Sequence, residues 1–220
     1  MEATRGVLER SVVRLFALLG ALFVVVAVAA PSATGAPPDE VAGFLSVLHV
    51  ESEGSMDGYD RDLFPHWIDN NGDCQDTRDE VLAWESFEWV DYDDAGCNVV
   101  WGEWWSAYDD VWLTDPADIH IDHVIALAEA WRSGARFWST DQRRAFANDL
   151  SREETLRAVS GSANASKSDR DPSEWLPPNG AFVCHHLIEW VVVKEAWDLS
   201  VDGAEYDALY DGLLACDLPG

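Results

Sequence analysis

Asp118, His120 and Asp122 alternate with Ile119 and Ile121, the period-2 pattern of a strand with one polar and one apolar face. Adjacent side chains on a regular strand point to opposite faces, so Asp122 and His123 can serve one ligand only where the strand ends or bends. The helical run that follows is read as that end. Ala126 to Arg132 predicts a helix stopping at Gly134, and Val41, Phe44, Leu45 and Leu48 predict a short one over residues 39–48. Ser139-x-x-Gln142 and Ser151-x-x-Glu154 are capping-box patterns, opening helices that end near Asn148 and Arg157. Ala158 and Val159 then start a second strand, and a helix is expected from about Ser162 to before Pro172. Phe182 to Trp197 reads as an apolar helix. Asp202-x-x-Glu205 caps a last one, with Tyr206, Leu209, Tyr210 and Leu213 on one face. Between Trp84 and Trp112, aromatic and β-branched residues broken by Asp-Asp and Gly predict short strands and turns.

Residues 1–36 have a different pattern: Arg5, Arg10 and Arg14, an uncharged run from Leu15 to Ala30, then small residues and prolines. That is the layout of a secretory signal peptide, with cleavage near Ala29 or Ala36. The run is short against the roughly 20 residues of a spanning helix. Residues 37–220 have the size of one domain with a real core. The formal charge is −27, and removing the three Arg and two Glu of residues 1–36 leaves −28. Such acidity opposes nucleic-acid binding. The basic residues, however, are concentrated between Trp131 and Asp171, where eight Arg and Lys face six acids.

The residue types near His123 suit phosphodiester hydrolysis. A histidine has the pKa to activate water, and a divalent cation neutralises charge on phosphoryl oxygens. Asp122 and the amide oxygen of Asn164 suit a hard cation that keeps several waters. Lys167, three residues after Asn164, shares its helix face. Asp122-His123, Phe146-Ala-Asn148-Asp-Leu150 and Asn164-Ala-Ser-Lys-Ser-Asp-Arg-Asp-Pro172 together resemble the HNH, or ββα-metal, nucleases. With Tyr59-Asp-Arg-Asp-Leu-Phe64 and Asp76-Thr-Arg78, the chain is similar to secreted bacterial HNH proteins related to the C-terminal nuclease domain of GmrSD-type restriction enzymes. The resemblance implies a general base at His123, a positioning role for Asn148, metal ligands at Asp122 and Asn164, and magnesium or manganese as cofactor. His120 stands where an acid is common, and Asn164 where many members have His. Lys167, Arg143 and Arg144 are the expected substrate contacts. Arg61 and Arg78, isolated in an acidic region, read as salt-bridged.

A second stretch, Asp69 to Glu80, places oxygen-bearing side chains as an EF-hand calcium loop does, with Asp69, Asn71, Asp73 and Glu80 as ligands of a structural calcium. Cys74 stands where that loop needs glycine, so an acidic turn capping the next helix is the competing reading. His185 and His186 lie in an apolar helical run and read as packing residues. The four cysteines lack zinc-like spacing, and secretion favours disulfides; the local connectivity is Cys74 to Cys97 and Cys184 to Cys216. The sequence thus predicts an α+β domain with a ββα-metal unit, about residues 115–172, in a mostly helical, disulfide-linked body. Its expected function is that of a secreted, monomeric endonuclease acting on nucleic acid, DNA in particular, without stable membrane association after leader cleavage. The rival is a noncatalytic extracellular calcium-dependent binding module.

Overall fold

A computed structural model describes residues 35–218, so the signal-peptide reading falls almost entirely outside the described residues. The fold opens with α1 (Pro38–Leu45), which turns Val41 and Leu45 into the core. α2 (Thr77–Glu85) starts where Asp76 accepts from the backbone amides of Arg78 and Asp79, the side-chain cap that a helix start requires. Two short antiparallel hairpins follow, β1 (Asp91–Tyr92) with β2 (Val99–Trp101) and β3 (Trp104–Ser106) with β4 (Val111–Leu113). Then come β5 (Ile119–His123), α3 (Leu127–Arg132), α4 (Thr140–Ala147), β6 (Leu156–Ser160), α5 (Gly161–Lys167), α6 (Val183–Ala196) and α7 (Gly203–Leu213).

β5 and β6 pair antiparallel from Ile119↔Ser160 to His123↔Leu156. One face of this pair carries Ile119, Ile121, Leu156 and Ala158, which pack with Val81 and Leu82 of α2 and with Val99 and Trp104. A larger core joins α1, α3, α4, α6 and α7 around Phe64, Phe146 and Trp190. The buried ammonium of Lys194 ties α3, α6 and α7 together, donating to Glu129, Ser133, the Ser200 carbonyl and Glu205.

The domain is α+β, and both disulfides have the local connectivity: Cys74–Cys97 fastens the Asp69 loop to the β1–β2 turn, and Cys184–Cys216 joins the start of α6 to the chain after α7. The boxes at Ser139/Gln142 and Asp202/Glu205 form completely. Ser151-x-x-Glu154 does not open a helix. Residues 151–155 turn, and the strand begins at Leu156, so Arg157 is a strand residue. The Ser151 hydroxyl is taken by buried Asp149, which also accepts from Thr155. Among the described residues, no helix is long and apolar enough to cross a membrane.

Candidate active site

α5 follows β6 without a loop. Ser160 is both the last strand residue and the cap, accepting from the Ala163 amide at 3.0 Å. The helix therefore lies against β5, and its positions 164 and 167 meet strand positions 120 and 122. The Asn164 side-chain amide donates to His120 Nδ1 at 3.3 Å. The imidazole fits because residue 161 is glycine: a Cβ there would stand 3.1 Å from His120 Nε2. Three residues on, Lys167 Nζ lies 3.0 Å from the Asp122 carboxylate and donates to the His123 carbonyl at 3.0 Å. Tyr108 donates its hydroxyl to Asp122 at 2.8 Å. Lys167 is 0% exposed and Asp122 4%, so the pair is a desolvated ion pair whose hydrogen bonds offset the loss of water. Burial, then the Asp122 charge, hold the Tyr108 phenol well above its ordinary pKa and keep it a donor.

His123 faces the other way. The ladder stays regular through His123↔Leu156, and α3 begins only at Leu127, so the strand neither ends nor bends between Asp122 and His123. Their side chains consequently do not converge, contrary to the sequence reading. The His123 Nε2–H donates to the Ala147 carbonyl at 3.0 Å, which fixes the neutral tautomer and leaves Nδ1 as an acceptor. The ring lies between Trp67, His66 and Phe146, with centroids 5.6, 6.4 and 6.3 Å away. Burial pulls its pKa down to about 3 against the Ala147 hydrogen bond, and the charges of Arg61, His66 and Lys167 push the same way. The imidazole is therefore neutral across the physiological range.

Asn148 contacts His123 only through its neighbour. Its side-chain oxygen accepts from the Ile68 amide and the Thr77 hydroxyl, and its nitrogen donates to the Pro65 and Arg144 carbonyls. It thereby clamps residues 65–68 to the end of α4, where the Ala147 carbonyl holds His123. The expected substrate contacts separate. Arg143 spends its guanidinium on the carbonyls of Leu63, Ala135 and Trp138, Lys167 is sealed in the ion pair, and Arg144 is exposed. Arg61, read from sequence as salt-bridged, is exposed and forms no ion pair among the described residues, although its charge reaches His123. The flanking Asp60 and Asp62 concealed it, but Asp60 caps a short 3-10 turn instead.

Neither proposed metal site gathers its donors. Lys167 and Tyr108 occupy both oxygens of Asp122, and Asn164 turns to His120, so Asp122 and Asn164 do not fit a cation as a pair. In the Asp69 loop, Asp69 accepts from the amides of Gly72 and Cys74. The Asn71 amide nitrogen, a donor, stands between Asp73 and Glu80 at 3.0 and 2.9 Å. Cys74 takes the left-handed conformation, φ 76°, that the turn demands. Among the described residues, no three His, Cys, Asp or Glu side chains converge as a ligand set.

His186 is fully buried among Tyr108, Trp175 and Trp190, while His185 is exposed and pairs with Glu189 at 3.0 Å. His186 is thus a packing residue, as read, whereas His185 lies at the surface in an ion pair. Glu85, missed in the sequence, accepts from the Ala158 amide at 3.0 Å, and burial raises its pKa to about 7.

Comparison with known proteins adds a family and a relative to this geometry. An uncharacterized secreted protein of Arthroderma benhamiae is 39% identical over 206 residues, which cover 91% of this chain and 99% of the relative. No solved structure matches. The family described as GmrSD restriction endonucleases, C-terminal domain, matches residues 74–211, more than half of the chain, and the protein belongs to that family.

Proposed function

We propose that the protein is a secreted endonuclease of the HNH type that hydrolyses phosphodiester bonds in DNA, with His123 as general base. One observation carries the reading: His123 is pinned through Nε2–H to the Ala147 carbonyl, its Nδ1 left as an acceptor, and the positive charge of Arg61 reaches it. This occurs on a unit of two antiparallel strands and a helix, within a family of restriction-endonuclease domains. Secretion is supported by the name of the Arthroderma benhamiae relative and by the two disulfides, which persist in oxidising compartments.

In this mechanism a water held at His123 Nδ1 gives its proton to the imidazole as its oxygen attacks phosphorus, the bond from phosphorus to the 3′ oxygen breaks, and the leaving 3′ oxygen takes up a proton from solvent. The phosphate's own negative charge favours the imidazolium that forms, offsetting the burial that weakens the base. Arg61 faces the phosphate and holds it against repulsion from the acidic surface. Asp122 and Lys167 act from behind the strand: their ion pair and the Lys167 bond to the His123 carbonyl fix the backbone from which the base projects.

The test is cleavage of supercoiled plasmid by purified protein, with magnesium or manganese supplied and a chelated sample alongside. Wild type should nick the plasmid. His123→Ala should lose ~10² to 10⁴ in rate while keeping its fold, since a general base assists only the chemical step. Undiminished cleavage by His123→Ala would remove the base from the mechanism and with it the HNH reading.

A further inference from the structure

The two hairpins and the loop before them carry a face that the proposed site does not use. Phe87, Trp89, Tyr92, Trp101 and Trp112 are all exposed, Trp89 to 92%. Phe87 and Trp112 meet edge to face with centroids 4.8 Å apart. Phe87, Trp89 and Tyr92 line one groove of about 450 Å³ together with Glu88. A contiguous apolar surface rimmed by polar groups marks a place that another molecule covers.

Charge selects the molecule. From Asp79 to Trp131 the chain has no Lys or Arg in 53 residues, against 14 Asp and Glu. Glu88, Asp91 and Asp94 are exposed beside the rings. A polyanion such as DNA is repelled here, and a second copy would bring the same negative charge against it. Ammonium and guanidinium groups are attracted twice, by the carboxylates and by the negative faces of the rings. We propose that this face docks a cationic polypeptide segment, rich in Arg or Lys, of a partner protein. The proposal is independent of the nuclease reading, because none of these residues belongs to the His123 site.

The experiment titrates purified protein into fluorescein-labelled deca-arginine, with a ten-nucleotide oligo-dT as comparator, and repeats both with the Trp89→Ala, Trp112→Ala double variant. Wild type should bind deca-arginine, and the double variant at least tenfold more weakly with an unchanged circular dichroism spectrum. Equal binding by the two would mean that net charge alone attracts the peptide, and would overturn the proposal. Oligo-dT binding that the double variant loses, or self-association in sedimentation that it loses, would give the face to nucleic acid or to a second copy and equally overturn it. Should the double variant unfold, Glu88→Lys with Asp91→Lys serves instead. The same tenfold loss is expected there, and unchanged binding overturns the idea.

Discussion

Lys167 Nζ stands 3.0 Å from each carboxylate oxygen of Asp122, with both side chains shut away from solvent. The cationic charge beside that carboxylate therefore belongs to the protein. Removing one partner leaves the other buried and uncompensated, a change that costs about 3–5 kcal/mol. Asp122→Ala and Lys167→Met should each lower stability by about that much in urea unfolding. The double variant should be less destabilised than the two losses summed. Unchanged stability in Asp122→Ala would show that the carboxylate is free to serve a ligand.

The bonds of Asn148 predict an effect on both stability and rate. Asn148→Ala leaves the Ile68 amide and two carbonyls without their partner, about 1–3 kcal/mol for each group that water cannot reach. Loosening the end of α4 also frees the carbonyl that holds His123. Asn148→Asp keeps the oxygen and loses both donor bonds, so it should retain part of the stability and less of the rate. Rates at saturating substrate, set beside unfolding midpoints, separate the two effects.

Arg61 and Arg143 should behave oppositely. Arg61→Ala should weaken DNA binding and flatten its salt dependence by about one phosphate contact, with no loss of stability. Arg143→Ala should destabilise the fold, because its guanidinium satisfies three carbonyls, and should leave the salt slope alone. Binding measured over a series of salt concentrations distinguishes them.

Acid should destabilise the protein. His123, ordinarily near 6.5, sits at about 3 in the fold, and burial likewise holds His186 well below the ordinary value. The unfolded chain then binds protons that the folded chain refuses. The stability tied to these two histidines is present above pH 6.5 and is lost as pH falls from there toward 3. Glu85 works in the other direction: raised to about 7 from 4.5, its carboxyl favours the fold more as pH drops from 7 to 4.5. The net loss should therefore steepen below about pH 4.5. Urea midpoints between pH 7.5 and 3.5 test this, and His186→Phe, which suits the aromatic box, should flatten the acid limb.

Reducing the disulfides should cost about 3–4 kcal/mol for each, given the 23- and 32-residue separations and the chain entropy returned to the unfolded state. Cys184→Ser with Cys216→Ser should lower the unfolding midpoint by loosening α7 from α6. An unchanged midpoint would show that α6 and α7 need no covalent tie.

The parts of this fold that depend on near neighbours were legible in the sequence. The caps at Asp76, Ser139 and Asp202 need only residues two or three places away, and the disulfides join the nearest cysteines. What depended on distant partners was not. Ser151-x-x-Glu154 satisfies a helix-start pattern, but buried Asp149 claims the serine and pairing with β5 draws Leu156 into a strand. Asp122-His123 reads as one site because the two are adjacent, although a continuous ladder sends them to opposite faces. The burial of Lys167 could not be read locally, since its partner lies 45 residues earlier. The local acids around Arg61 suggested pairing, but it forms no ion pair among the described residues.

The long stretch without basic residues also governs how the protein meets proteases. An enzyme that cuts after Lys or Arg finds no bond to attack between Arg78 and Arg132, so both hairpins, with their protruding tryptophans, are indigestible to it. A cut at Arg78 itself would release nothing, because the fragment beginning at Asp79 contains Cys97 and stays bonded to Cys74 on the fragment before it. For trypsin-like enzymes, the hairpins with their exposed tryptophans are thus among the hardest parts of the molecule to remove.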